Sequence, residues 1–227
     1  MKKIYTGKTK DVYEIDKHHV LLQFKDDATG KDGVFDPGAD SVGLTIPGSG
    51  RANVKLTSFF FEKFKEEKIP THFVSSNIDQ AQIRVKKASM LGKGIEVIVR
   101  YRAVGSFLRR YGDYCSEHDP LNGIIEFTIK DDKRKDPPIS KDALIALAIV
   151  TKEEYEKIIH LTNKVATIVK DEFKKRNLNL YDIKFEFGRD PETGEIILID
   201  EISAGNMRVY QNKQQIDPTS LNDLFFK

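Results

Sequence analysis

Two acids stand where hydrocarbon is expected. In "FEFGRDPETGEIILIDEI", residues 185–202, Glu186 and Asp200 lie in apolar runs joined by a loop rich in Pro, Thr and Gly. A hairpin centred on Thr193 would set the two carboxylates directly opposite each other. Opposed like charges destabilise a sheet, and ionised carboxylates taken out of water need a positive partner. A hard divalent cation meets that need. Mg²⁺ takes one or two protein carboxylates and completes its octahedron with water and phosphate oxygens, so a two-acid pair implies a nucleotide as co-ligand. The plainer arrangement pairs one acid with Lys184 and lets the other cap a strand end.

Two further stretches could hold phosphate. "GKTK", Gly7 to Lys10, falls at a strand turn where glycine permits close backbone approach and two alternating lysines can face an anion. It lacks the Walker spacing, and a solvated hairpin turn is the commoner meaning of such a tetrapeptide. In "VRYRAVGSFLRRYG", a β-branched strand carrying Arg100 and Arg102 runs into Gly105, with Ser106 expected to cap the helix that follows. A capped helix N-terminus beside a guanidinium is a ready phosphate site. Arg109 and Arg110 read as solvated. Interleaved Tyr101, Phe107 and Tyr111 keep single-stranded RNA as an alternative ligand, although 37 basic against 35 acidic residues leaves a net charge of only +2 and no broad basic face.

The elements that must position these groups follow from periodicity. "KIYTGKTKDVYEI" and "HHVLLQFKDD" read as three strands of an antiparallel meander, followed by a glycine-rich stretch and an amphipathic helix in "VKLTSFFFEKFKEEK". "THFVSS", "AQIRVKKA" and "GIEVIVRYRAV" read as strands, with a crossing between two lobes near Lys86 to Gly94. Helical patterns follow at "SFLRRYG", "SKDALIALAIV" and "TKEEYEKIIHLTNKVATIVKDEFKKRN"; the last opens on a Thr151/Glu154 capping box, and Ala143 to Val150 reads as buried helix. Strands and helices are grouped rather than strictly alternated, so an α+β fold is expected. At 227 residues, one large domain or two packed lobes are both reasonable. The single Cys115 has no partner for a disulfide, the five histidines lack zinc-ligand spacing, and the longest apolar run is too short to span a bilayer. No apolar stretch follows the first lysines. The chain therefore reads as cytoplasmic, without a membrane role.

Taken in order, "YTGKTKDVYE", "VIVRYRAVGSFLRRYG", "KDPPIS", "YDIKFEFG" and "LIDEISAGNMRVY" resemble the phosphoribosylaminoimidazole-succinocarboxamide synthase (SAICAR synthetase) family of purine biosynthesis, over nearly the whole chain. The resemblance implies an antiparallel nucleotide lobe related to kinases and ATP-grasp enzymes, residues 1–85, packed on a larger mixed α/β lobe, residues 86–227, with ATP between them. It implies ATP-dependent joining of carboxyaminoimidazole ribonucleotide to L-aspartate through an acyl phosphate, with Mg²⁺, in a homodimer without nucleic acid. The kinase signatures "HRD" and "DFG" are absent, which argues against a protein kinase on a similar lobe.

By that resemblance Gly7, Lys8, Thr9, Lys10 and Val12 line the ATP phosphates and base, Lys86 and Met90 sit near adenine, and Glu186 and Asp200 hold metal and nucleotide. Arg100, Ser106 and Arg208 hold the ribonucleotide, with Asp27 near its imidazole. Lys10, Asp136 and Lys184 stand at the reacting groups, Lys184 also contacting substrate. The chain departs from the family pattern at Lys135, where His is usual, and at Ala204 and Gly205, where Pro-Asp is usual; the segment after Arg208 is short and lacks the common Trp-Asp.

Overall fold

The computed structural model describes residues 1–227. The chain opens on three antiparallel strands, β1 (Lys2–Thr6), β2 (Lys10–Glu14) and β3 (His19–Phe24). A small three-stranded sheet follows, made of β4 (Asp27–Lys31), β5 (Val34–Phe35) and β6 (Val42–Thr45). Helix α1 (Ser49–Glu66) leads to β7 (Phe73–Asn77) and β8 (Gln82–Lys86), which complete a five-stranded sheet in the order β1-β2-β3-β8-β7. Beyond Lys86 come β9 (Ser89–Met90), β10 (Ile95–Arg102), α2 (Gly105–Tyr111), β11 (Pro120–Ile129), α3 (Lys141–Ala146) and α4 (Lys152–Lys174). The chain ends with β12 (Asn179–Arg189), β13 (Ile196–Ile199), β14 (Met207–Gln211), β15 (Gln214–Gln215) and α5 (Pro218–Phe225). These strands form a seven-stranded antiparallel sheet, β11-β10-β12-β14-β15, with β13 and β9 also paired to β12. The expected α+β class and antiparallel sheets are what the chain adopts.

The larger sheet owes its placement to a period-two alternation. Val97 and Val99 on β10, Phe127 on β11, Ile183, Phe185 and Phe187 on β12, and Met207 and Val209 on β14 all enter one core. Their alternate neighbours Glu96, Arg100, Asp182, Lys184 and Glu186 face the other way. Helix α4 covers the apolar face with Ile158, Leu161, Val165, Val169 and Phe173, at helical spacing. Its start is the expected capping box: Glu154 N–H donates to Thr151 Oγ1 at 3.1 Å, and Thr151 N–H to Glu154 Oε2 at 2.8 Å. Helix α1 belongs to both halves. Val54 packs into the smaller sheet, whereas Leu56, Phe60, Phe61 and Phe64 enter the larger core. Each of these fully enclosed Phe rings contributes about 1.5–3 kcal/mol relative to exposure.

Three expectations need correction. Helix α1 starts at Ser49, inside the glycine-rich stretch, and that stretch also contributes β6. Ala143 to Val150 is not one buried helix: α3 stops at Ala146, Leu147 is 65% exposed, and Ala148 takes φ 53° as the chain turns, so that only Leu144 and Val150 are fully buried, with Ile149 partly so. In the 185–202 hairpin, Glu186 pairs with Ile199, not Asp200. The turn closes on Asp190 and Glu195, with Asp190 Oδ1 accepting from the amides of Glu192 and Thr193, which moves the register by one. A one-residue slip would turn Asp200 to the wrong face. Asp200 lies just past β13 at φ 66°, and that left-handed kink returns its side chain to the face occupied by Glu186.

The segment joining α1 to β7 holds the two sheets together. Its backbone runs along β13, with Leu198 N–H donating to Pro70 O and His72 N–H to Leu198 O, both at 3.0 Å. The buried His72 ring packs beside Phe61, and its Nε2–H donates to the Asp200 carbonyl at 3.0 Å, fixing the neutral tautomer and the kink. Burial, assisted by Lys10, lowers the ring from 6.5 to about 4, against the opposing pull of the Asp200 carbonyl and carboxylate. The unfolded chain protonates earlier, so stability is full above pH 6.5 and is lost as the pH falls toward 4, by about 3 kcal/mol at most. Histidine-selective NMR of the nucleotide-free, Mg²⁺-free protein should place the His72 midpoint near pH 4. A midpoint near 6.5 would show that the ring is not enclosed.

Candidate active site

The charged face of the larger sheet is the floor of a cavity of about 310 Å³, whose other walls are the β1–β2 turn, residues 7–10, and the segment 37–40. Register sets the neighbours on the floor. Glu96 stands opposite Glu186, Ile98 opposite Lys184, and Arg100 opposite Asp182, which on its other side meets Arg208. The acid that faces Glu186 across the sheet is therefore Glu96.

Lysines supply the positive charge between the acids. Lys184 Nζ lies 2.9 Å from Glu96 Oε1 and 3.6 Å from Glu186 Oε1, and Lys130 Nζ, from the end of β11, lies 2.6 Å from Glu186 Oε1. Lys10, from the smaller sheet, reaches across to Asp200 and to Glu201 Oε1, the latter at 2.8 Å. Burial pulls the Lys184 and Lys10 ammonium groups down, but the carboxylates around them outweigh it and hold both above the ordinary lysine range. Burial likewise pushes the Asp200 carboxyl up, and Lys10, Lys130 and Lys184 together bring it well below the usual range. Lys10, Lys184 and Asp200 are therefore charged at neutral pH.

At the other end, Arg100 is 1% exposed. Its guanidinium donates to Glu126, to Asp182 Oδ2 at 3.1 Å and to Ser106 Oγ at 2.8 Å. Ser106 thus does not cap α2; the N-cap is Val104, without a side-chain bond, and the hydroxyl serves Arg100 instead. Arg208 donates to Asp182 Oδ2 at 2.7 Å and Asp36 Oδ1 at 2.6 Å. Two glycines make room for it: a Cβ on Gly38 or Gly105 would lie 2.4 and 2.6 Å from its Nη2. Arg102 points away, to the His118 carbonyl. Of the nine cations that line the cavity, only Arg109 and Lys135 have no carboxylate partner.

The donor set suits a hard cation. Glu186 uses only Oε1 and Asp200 only Oδ1 toward the lysines, so Glu186 Oε2 and Asp200 Oδ2 accept no hydrogen bond and stay open to the cavity. Two free carboxylate oxygens beside phosphate-sized space are what Mg²⁺ with a nucleotide requires. A second acidic group, Asp40, Asp132 and Asp136, has ligand atoms within 4.8 Å of one another; it is more exposed, and Lys8 already lies 2.9 Å from Asp132. Burial and the field of Glu96 raise the Asp136 carboxyl.

Of the residues singled out from the sequence, Gly7, Lys8, Thr9, Lys10, Val12, Arg100, Ser106, Asp136, Lys184, Glu186, Asp200 and Arg208 line this one cavity, as do Lys135 and Gly205. Asp27, Lys86 and Met90 do not. Asp27 lies on β4 with its carboxylate 3.4 Å from Lys25; Lys86 points to Asp190 at 3.7 Å; Met90 is 41% exposed on β9, at the crossing between the sheets. The sequence reading missed Glu96, Lys130, Asp182 and Glu201, and took Arg109 and Arg110 for solvated residues although both line the cavity. Strict alternation in "DIKFEF", and alternation broken only by Ile98 in "IEVIVR", was the available signal for Asp182 and Glu96.

A family model for SAICAR synthetase matches residues 3–224. The phosphoribosylaminoimidazole-succinocarboxamide synthase of Clostridium tetani is 54% identical over 227 residues, the full length of both chains. That of Finegoldia magna is 38% identical over 92% of this chain and 86% of its own. Among solved structures, the synthase of Ehrlichia chaffeensis superposes with a TM-score of 0.83 at 30% identity, covering 96% of this chain and 90% of that one. A SAICAR synthetase in complex with ADP superposes with a TM-score of 0.82 at 31% identity, covering 97% and 93%. The chain belongs to the SAICAR synthetase family, the ligases that join carboxyaminoimidazole ribonucleotide to L-aspartate at the expense of ATP.

Proposed function

We propose that this cavity is where MgATP, carboxyaminoimidazole ribonucleotide and L-aspartate meet. The observation that carries the reading is the convergence, in one space between the sheets, of the Gly7–Lys10 turn, two acids with free oxygens and an arginine cluster. Residues 1–85 then act as a nucleotide lobe and 86–227 as a substrate and metal lobe. Lys8 and Lys10, with Gly7, Thr9 and Val12 beside them, face the ATP phosphates and base. Glu186 and Asp200 would hold Mg²⁺, which when bound neutralises phosphate charge. Arg208 and Ser106, backed by the buried Arg100 and joined by Arg109, take the ribose phosphate.

A carboxylate is a poor electrophile, so it must first be activated. One of its oxygens attacks the γ-phosphorus of ATP, the bond to the β-phosphate oxygen breaks, and ADP leaves. The aspartate amine then attacks the acyl carbon, phosphate departs, and the nitrogen sheds two protons on the way from ammonium to amide. Lys184 and Lys130 stand where negative charge gathers, and Asp136, a stronger base than an ordinary aspartate, is suited to take a proton from the amine. Positioning and electrostatics do the rest, and no protein nucleophile is involved. A cytoplasmic homodimer accords with the family resemblance, and no helix is long and apolar enough to cross a membrane.

Two experiments test this reading. ADP formation from MgATP should require the ribonucleotide, and accumulation of the amide should require L-aspartate as well; a stable phosphorylated product formed without aspartate would mark a kinase instead. The second separates the arginines. Arg109 makes no direct ion pair and only acts on Asp36 from a distance, so Arg109→Ala should leave the melting temperature nearly unchanged while weakening the ribonucleotide, and not ATP, by about tenfold or more. Arg100→Ala leaves Glu126 to Arg110 alone and Asp182 to Arg208 alone, in a buried place, and should destabilise the fold by about 1–3 kcal/mol. Unchanged ribonucleotide affinity in Arg109→Ala would move the phosphate away from this end.

A further inference from the structure

Lys10 has two acidic partners, and only one of them is free to leave. Asp200 offers Oδ2 to the cavity, and it sits on a kinked residue at the end of a strand. Glu201 is 4% exposed and fastened on every side. Its Oε1 accepts from Lys10 at 2.8 Å and its Oε2 from the Ser203 hydroxyl, while its carbonyl accepts from the Asn206 amide. Ser203 and Asn206 are themselves tied into the turn Ala204–Asn206: Ser203 N–H donates to Asn206 Oδ1 at 3.0 Å, and Gly205 N–H to Ser203 Oγ at 3.0 Å. The missing side chain of Gly205 matters, because a Cβ there would press within 3.3 Å of both Glu201 Oε1 and Ser203 Oγ.

Resting on the nucleotide reading above, we infer that Glu201 is a positioning residue: it holds Lys10 toward the ATP phosphates when Asp200 turns its charge to the metal. Before nucleotide binds, Lys10 is doubly paired and either acid suffices. Once Asp200 gives its Oδ2, and with it much of its charge, to metal, Glu201 is the carboxylate left wholly to Lys10, and without it a buried ammonium on a four-carbon stem loses the contact that fixes its direction. Asp200 and Glu201, adjacent in sequence, thus divide two tasks: the acid with a free oxygen takes the metal, and the acid without one keeps Lys10 in place.

The test is a double-mutant cycle read by calorimetric titration of MgADP into the wild type, Lys10→Met, Glu201→Gln and the double variant, with thermal melts of the ligand-free proteins alongside. Glu201→Gln should weaken MgADP at least tenfold, yet weaken it less than twofold further once Lys10 is already Met. In the ligand-free state Glu201→Gln and Asp200→Asn should each shift melting little, and their combination should lower it by more than the sum. Additive losses for Glu201→Gln and Lys10→Met would overturn the inference and leave the nucleotide site standing. If Lys10→Met itself left MgADP affinity intact, the nucleotide would not be at Lys10, and both readings would fall.

Discussion

A strand that feeds a hydrocarbon core with one face and lines an anion site with the other must alternate apolar and ionised residues, and every ion so placed needs a counter-charge. That constraint organises this molecule. β10, β12 and β14 are buried from both sides, so Glu96, Arg100, Asp182, Glu186 and Arg208 are almost wholly removed from bulk water. Ionised groups in such a place persist only when paired. The floor of the cavity is accordingly a chain of pairs, from Arg208 and Arg100 sharing Asp182 at one end to Lys184 and Lys130 sharing Glu186 at the other.

The same constraint couples the halves of the chain. Lys10 belongs to the smaller sheet but finds its counter-charges on residues that follow β13, and His72, in the connecting segment, secures the backbone of one of them. The contacts that join the halves are therefore also contacts that neutralise the cavity's charges. The pairing is incomplete in particular places: two carboxylate oxygens lack partners, and Arg109 and Lys135 make no ion pair. Lys135 lies on this cavity in the left-handed conformation, φ 59°, next in sequence to Asp136.

Much of this was legible in the sequence, for identifiable reasons. Acids in apolar runs, a Gly-Lys turn and arginines before a helix are local anomalies, and local anomalies survive without knowledge of the fold. Twelve of the fifteen singled-out residues line one cavity. What could not be read depended on contacts distant in sequence or on turn geometry. The hairpin register hinged on how Asp190 folds its turn, a one-residue matter that no periodicity decides. Ser106 had a cap's position, but a buried guanidinium six residues earlier claimed its hydroxyl. Lys130 and Glu201 resemble ordinary surface charges until Glu186 and Lys10 are brought to them. Asp27 and Lys86 sit in strands of the smaller half and pair away from the cavity, with Lys25 and with Asp190 of the hairpin turn.

The central claim is that Glu186 and Asp200 give their free oxygens to a metal that travels with the nucleotide. Its most direct test is the ratio of ADP affinity with Mg²⁺ to that with a chelator, measured by calorimetry for the wild type and for the Glu186→Gln, Asp200→Asn double variant. The account predicts tighter binding with Mg²⁺ in the wild type and a ratio near one in the variant, whose metal-free affinity is kept or improved because two negative charges beside the phosphates are gone. A variant that retained the full Mg²⁺ enhancement would contradict it.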